Sequence, residues 1–259
     1  MSPGPRSNGP ANRQGSAVFA RRQNSGGRVI EARQVVHDSM LATVRSALHL
    51  RRFALAGMSW LAFAGLAVLV TVSPFVAPEE SLDRAIQSIH FGPLAIPFPF
   101  FAWVGGPGAT YMTLAAVSVV LMFNRRAAPF AFMTTIGGLW YWILTGIIHR
   151  PRPTIDPLIR ISEYHSGHAS FPSGHVIFIT LSLGLVMLCL GVRYLPPFGR
   201  WIGWTIVGAI VLLAASSRVY VGAHWPLDVV ASMLVATGWL TLVASIRPIS
   251  DPALKGRST

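Results

Sequence analysis

Residues 53–77 read FALAGMSWLAFAGLAVLVTVSPFVA, a run without a single charged side chain. About 20 apolar residues are enough for a helix to cross the hydrocarbon core of a bilayer. A secretory signal would start near the N-terminus and carry a shorter apolar core followed by small cleavage-site residues. This run begins only after 52 residues, so it reads as a retained transmembrane helix. Working outward along the chain, comparable apolar runs recur at 104–123, 127–148, 174–192, 201–217 and 227–246. Segment 78–103 differs: it carries Glu79, Glu80, Asp83 and Arg84 and then a Pro/Phe-rich stretch suited to the membrane interface. The expected fold class is all-α, a polytopic membrane protein built as a six-transmembrane-helix bundle.

The composition agrees. Hydrophobic residues make up 52% of the chain and charged residues 12%, about half the charged fraction of a soluble domain. The mean hydropathy is +0.52. A net charge of +12 would ordinarily raise nucleic acid as a partner, but its distribution argues for a membrane instead. Nine arginines lie in the first 52 residues and most other basic residues in short connectors. With six spans and both termini on one side, sixteen basic residues fall on the side of the termini and five on the other. Basic residues stay cytoplasmic, so both termini are expected in the cytoplasm of a multi-pass cell-membrane protein.

Three regions follow: a basic tail at 1–52, the membrane domain at 53–246 and a C-terminal tail at 247–259. Residues 1–34 are rich in Gly, Pro, Ser, Asn, Gln and Arg and have no apolar periodicity, which predicts disorder. Residues 35–52 place Val36, Met40, Val44 and Leu48 at helical spacing beside Arg45, Arg51 and Arg52. They read either as a short helix on an anionic leaflet or as an extension of the first span. Cys189, the only cysteine, lies within an apolar run and reads as a small buried hydrophobe. It excludes a disulfide framework and a cysteine-based metal site.

Three polar clusters interrupt the apolar chain: His149-Arg150-Pro151-Arg152-Pro153, Pro172-Ser173-Gly174-His175, and Ser217-Arg218 followed by His224 and Asp228. The expected topology places all three at the outer face. Ionisable residues at span ends that face a bundle interior are functional candidates. Arg152 and Arg218 are permanently charged forks suited to phosphoryl oxygens. Ser173 and Gly174 precede a helix, whose N-terminal amides can cradle an anion. Asp228, four residues after His224, can orient the imidazole and leave its other nitrogen as a nucleophile. His175 is a second imidazole, placed to protonate a leaving group. Two histidines and two arginines without a carboxylate cluster point to phosphoryl transfer without a metal; no metal and no cofactor are expected.

These residues resemble the type-2 phosphatidic acid phosphatase superfamily, whose soluble relatives include vanadium haloperoxidases and bacterial acid phosphatases. Its signature is Lys, six residues, Arg-Pro; then Pro-Ser-Gly-His; then Ser-Arg, five residues, His, three residues, Asp. The second and third motifs match at every fixed position, and the resemblance covers about residues 53–246. It implies that His224 attacks phosphorus and becomes a phosphohistidine, that Asp228 orients it, and that His175 is the general acid. It implies that Arg152, Arg218, Ser173 and Gly174 bind the transferring phosphoryl group. The first motif departs: Thr145 stands where the family has Lys, and no lysine precedes Lys255. Arg150 is the candidate to supply that charge from another backbone position.

The expected reaction is hydrolysis of a lipid phosphomonoester or diphosphate. Undecaprenyl diphosphate is the first choice, then phosphatidic acid or phosphatidylglycerol phosphate. The alternatives are a lipid phosphotransferase and, given Thr145, a non-catalytic lipid-phosphate-binding membrane protein. A transporter fits least, because nothing marks a path through the midplane. Arg84 and Arg160 read as interface anchors, and His149, His165 and His168 as polar loop residues. Trp103, Trp140, Trp201 and Trp225 read as an aromatic belt. Partners are the lipid substrate and membrane lipid, with no nucleic acid; the oligomeric state is not legible.

Overall fold

The structure is a computed structural model, and it describes residues 13–153 and 169–254. Among these residues every regular element is helical: α1 (Arg13–Val72), α2 (Ala77–Ser88), α3 (Phe98–Gly105), α4 (Ala109–Phe123), α5 (Ala128–Ile136), α6 (Leu139–Ile147), α7 (Gly174–Val186), α8 (Val192–Tyr194), α9 (Pro197–Tyr220), α10 (Pro226–Ser245) and α11 (Arg247–Leu254). Five helical stretches are long and apolar enough to cross a membrane: Ser46–Val72, Arg125–Ile147, Gly174–Tyr194, Pro197–Tyr220 and Pro226–Ser245. A sixth is broken: Gly92–Gly105 and Ala109–Phe123 meet at a bend of 88°. The chain is thus an all-α, multi-pass membrane protein.

Two boundaries differ from the sequence expectation. The run at 104–123 is not one straight span. Gly105-Gly106-Pro107-Gly108 removes side chains and a backbone donor near its start, and glycine and proline stop a helix there. Val104 and Gly105 end α3, and residues 109–123 form α4. The tail expected to be disordered through residue 34 is helical from Arg13. Residues 35–52, with their helical spacing, are helical too. Residues Met1–Leu50 form a unit of their own and Arg51–Thr259 a second one; all that follows concerns the second.

Helix α7 lies at the centre of that unit. Apolar residues surround it, so it has little amphipathic character, as a helix buried on all sides requires. One of its faces packs Ile177 and Leu181 against Ala231, Val235 and Leu240 of α10 and Phe63 of α1. Another packs Val176 and Ile179 with Phe98 and Phe101 of α3 and Ala214, Ala215 and Val219 of α9. At the far end Leu185 and Cys189 meet Val120, Phe130, Val243 and Ala253. There buried Asn124 donates to the carbonyl oxygens of Ala253 at 2.8 Å and Cys189 at 3.3 Å, which ties α11 and the end of the α7 span to the α4–α5 corner. Cys189 is buried and unpaired by disulfide.

The α3–α4 bend presses directly on α7. A Cβ on Gly105 would stand 2.5 Å from the Cα and 2.6 Å from the Cβ of His175. No real Cβ tolerates that distance from backbone, so glycine is required for the approach. We predict that Gly105→Ala lowers the thermal midpoint of purified protein, since forced overpacking costs about 1–3 kcal/mol. Gly146, with nothing near its would-be Cβ, is the control. Gly146→Ala should leave the midpoint unchanged or raise it, because alanine favours a helix interior. Equal midpoints for the two variants would contradict the packing.

Candidate active site

The third polar cluster folds back on itself through one residue. Helix α9 ends at Tyr220, and Gly222 adopts a positive φ of 68°, a conformation that costs glycine little. The reversal lets the amides of Ala223 and His224 donate to the Arg218 carbonyl at 3.0 and 3.3 Å. Five residues therefore separate Arg218 from His224 in sequence while their backbones touch. Pro226 then opens α10, where proline suits the first turn. The Asp228 carboxylate accepts the Trp225 amide at 2.9 Å and so caps the helix.

The first and second clusters close on this turn. Arg152, Gly174, His175 and His224 line one cavity of about 470 Å³. Gly105 and Gly106, the hydroxyl-bearing Thr110, Thr113 and Thr135, and the rings of Tyr141, Trp142 and Phe178 complete its wall. The rings of His175 and His224 approach edge to face, with centroids 6.3 Å apart and an interplanar angle of 66°. His175 Nε2 lies 3.1 Å from the Ala102 carbonyl oxygen; a carbonyl only accepts, so this nitrogen bears the proton. Arg152 donates to the Ala223 carbonyl at 2.7 Å. Buried Arg218 donates to Ser217 Oγ at 3.2 Å and to the Phe98 carbonyl at 3.4 Å. Both guanidiniums are within electrostatic reach of His175.

The orientation of His224 differs from the sequence expectation. Its Nδ1 lies 2.7 Å from the carbonyl oxygen of Ser170 and 3.7 Å from Asp228 Oδ2. The close acceptor is a backbone carbonyl, so Nδ1 carries the proton and Nε2 keeps the lone pair. Asp228 acts from beyond hydrogen-bond range, by charge. Burial holds the His224 imidazole below its ordinary range, with the Asp228 carboxylate opposing, so the ring is neutral at pH 7. Burial likewise lowers the Arg152 guanidinium, which stays charged.

Arg150 corrects a second expectation. It does not line the cavity. It is 2% exposed and bridges Glu79 and Asp228, with 2.7 Å to Asp228 Oδ1. It also donates to the Pro74 carbonyl at 3.0 Å and lies 5.4 Å from the Trp225 ring centroid. Burial alone would lower its pKa, but the Glu79 hydrogen bond and the two carboxylate charges outweigh burial and raise it. Removing one partner of such a pair costs about 3–5 kcal/mol. Arg150 is thus a structural counter-charge, not a substitute for the family's lysine. Thr145 does not substitute either: its hydroxyl donates to the Tyr141 carbonyl of its own helix at 2.7 Å.

Ser173 is a partial correction. Its amide is already committed to Ser232 Oγ at 2.7 Å, so it is not an anion donor. Its side-chain Oγ is buried without a hydrogen-bond partner among the described residues, and the following amides of α7 begin the helix. Trp225 is no belt residue: it is 1% exposed and donates to the Pro151 carbonyl at 2.9 Å. Trp103 and Trp201 are exposed, as a belt requires, and His149 and Arg84 are exposed too. Arg160, His165 and His168 lie outside the described residues.

Several participants escaped the sequence reading. Ser170 and Ala102 act through backbone carbonyls, which no side-chain pattern reveals. Ser232 stands one helical turn after Asp228 and donates to its carbonyl at 2.6 Å, a spacing that was readable. Glu79 carried a signal too, because three of the chain's nine acidic residues, Glu79, Glu80 and Asp83, fall within five positions of one another. No group of three or more metal-ligating side chains occurs among the described residues.

Comparison with known proteins matches this geometry to a family. Residues 126–250 match the model of the PAP2 superfamily. The chain is 33% identical over 114 residues to undecaprenyl-diphosphatase BcrC of Bacillus subtilis (strain 168), covering 44% of this chain and about half, 54%, of that relative. It is 26% identical over 196 residues to an undecaprenyl-diphosphatase of Sulfolobus acidocaldarius, covering 71% of this chain and 88% of the relative. A crystal structure of a transmembrane PAP2-type phosphatidylglycerolphosphate phosphatase from Bacillus subtilis shares the fold, with a TM-score of 0.58 at 21% identity over 72% of this chain and 92% of that one. The protein is a multi-pass membrane protein whose residues 126–250 match the model of the PAP2 superfamily.

Proposed function

We propose that this protein is a lipid phosphate phosphatase that works through a phosphohistidine on His224. The observation that carries the reading is the 2.7 Å contact between His224 Nδ1 and the Ser170 carbonyl. It fixes the tautomer and leaves an unprotonated Nε2 on a ring that lines the cavity opposite His175. A nucleophile held neutral and oriented is what covalent phosphoryl transfer needs.

In the first step the Nε2 lone pair forms a bond to phosphorus and the bond to the leaving oxygen breaks. His175, entering the step doubly protonated with its Nε2–H held by the Ala102 carbonyl, gives the proton of its other ring nitrogen to that oxygen. Arg152, Arg218 and the first amides of α7 hold the remaining phosphoryl oxygens, where charge accumulates in the transition state. Asp228 stabilises the positive imidazole of the intermediate. In the second step His175, now neutral with Nε2–H still on the Ala102 carbonyl, accepts a proton from water on its other ring nitrogen. The hydroxide oxygen bonds to phosphorus, the P–N bond breaks, and phosphate leaves with His224 restored.

Undecaprenyl diphosphate is the first-choice substrate, in line with the names of two relatives; phosphatidic acid and phosphatidylglycerol phosphate come next. The charge distribution supports cytoplasmic termini and a site on the outer face of the cell membrane. The chain's own chemistry involves its imidazoles, guanidiniums and amides and the Asp228 carboxylate.

The direct test is free phosphate released by purified protein from a panel of these three lipids. Turnover is expected in excess EDTA, because the residues facing the phosphoryl group supply no carboxylate cluster for a hard cation. Loss in EDTA that magnesium restores would overturn the mechanism. No release from any lipid would favour a binding protein over an enzyme, and phosphate recovered on a second lipid would favour a phosphotransferase.

The role of His175 makes a separate prediction. His175→Ala is expected to slow turnover of an alkyl phosphate by about 10²-fold or more. The loss should shrink for an aryl phosphate whose leaving group needs no proton. An equal loss on both substrates would exclude His175 as the general acid.

A further inference from the structure

Helix α2 lies outside the residues that the family model matches, yet it reaches the candidate nucleophile through a closed circuit of buried polar contacts. Glu79, 4% exposed, accepts from the Leu227 amide at 2.7 Å, and this holds the first turn of α10. Its other oxygen pairs with Arg150. The Arg150 side chain pairs with Asp228 at 2.7 Å, while the Arg150 carbonyl accepts the Ser170 amide at 2.8 Å. The Ser170 carbonyl in turn accepts His224 Nδ1. Arg150 therefore grips His224 twice, through its backbone by way of Ser170 and through its side chain by way of Asp228.

We propose that Glu79 is a positioning residue for the reaction, setting through Arg150 how strongly the Asp228 charge acts on the His224 imidazole. Arg150 alone would neutralise Asp228 and weaken its hold on an imidazolium. Glu79 competes for the same guanidinium and leaves Asp228 with more of its negative charge, which keeps His224 basic enough to attack phosphorus. The inference rests on the reading of His224 as the nucleophile. The other charged or titratable groups near this circuit are Asp83 on α2, Arg152 in the segment after α6, His175 on α7 and Arg218 on α9. Of these, burial pushes the Asp83 carboxyl up to about 6, with its Gln87 hydrogen bond opposing and the Glu79 and Asp228 charges adding.

The test compares Glu79→Gln with Glu79→Asp in purified full-length protein. Glutamine keeps the Oε1 acceptor for Leu227 and removes both the charge and the second acceptor that faces Arg150; aspartate keeps the charge. The sign follows from charge alone: with one negative charge fewer, the imidazolium of His224 is less stabilised and its pKa falls. Glu79→Gln is expected to move the acid limb of kcat/KM to lower pH by about one unit and to reduce kcat about tenfold, with KM unchanged. Glu79→Asp should recover most of kcat and the original limb. Substrate ionisation is common to all variants, so a displaced limb belongs to the protein. Both measurements are repeated in an Asp83→Asn background, which removes the carboxyl that titrates in the same range. The titration of His224 is read in parallel by NMR of histidine-labelled protein, assigned by His224→Gln, which needs no turnover. A displaced His224 titration without turnover in the wild type would overturn the phosphatase reading and uphold the circuit. An active, well-folded Glu79→Gln with unmoved limb and unmoved titration would overturn the circuit alone.

Discussion

A guanidinium shut off from water must be matched by negative charge and by acceptors for its donors. Arg150 meets that condition with Glu79, Asp228 and the Pro74 carbonyl, and much of the end of the bundle that carries the two histidines is arranged around it. Those contacts draw together α2, the segment after α1, the segment after α6 and the start of α10. The two elements that carry the histidines then meet across the cavity. A bundle of apolar helices has little directional preference of its own. In this one, direction comes from a few buried polar bonds at the two ends: Arg150 with its carboxylates at one, and Asn124 with its two carbonyls at the other.

The same arrangement gives the site its chemistry. The tautomer of His224 is set by a carbonyl rather than by the carboxylate four residues away. This divides labour between the two: Ser170 fixes which nitrogen is free, and Asp228 supplies charge that becomes valuable once the ring turns cationic. Asp228 also caps α10 and is itself held by Arg150. One residue thus ties helix geometry to electrostatics. The glycine-rich corner between α3 and α4 is the opposite wall. Its lack of side chains lets His175 sit beside the Ala102 carbonyl instead of being pushed into the cavity.

Much of this was legible before any coordinates. Long uncharged runs define the spans because lipid leaves the backbone no partner outside a helix. The motifs single out His175, His224, Asp228, Arg152 and Arg218 as candidates because so few ionisable residues occur in an apolar chain. The bend within 104–123 was visible in Gly105-Gly106-Pro107-Gly108 and was outweighed by hydropathy, which averages over such breaks. Arg150 misled because its neighbour Arg152 faces the cavity. In the non-helical Arg-Pro-Arg-Pro stretch, local spacing does not determine which guanidinium turns inward. The roles of Ser170 and Ala102 rest on main-chain oxygens, and the role of Glu79 on a contact with a residue 71 positions away in sequence. Periodicity and motif spacing carry neither kind of information.

The central claim is that His224 is the nucleophile, held in one tautomer with Nε2 free. The most direct measurement is mass spectrometry of protein quenched during turnover of a lipid phosphate. Phosphate is predicted on His224, acid-labile and stable to base, and absent from His224→Ala. Phosphate on another residue, or turnover by His224→Ala at the wild-type rate, would contradict the account.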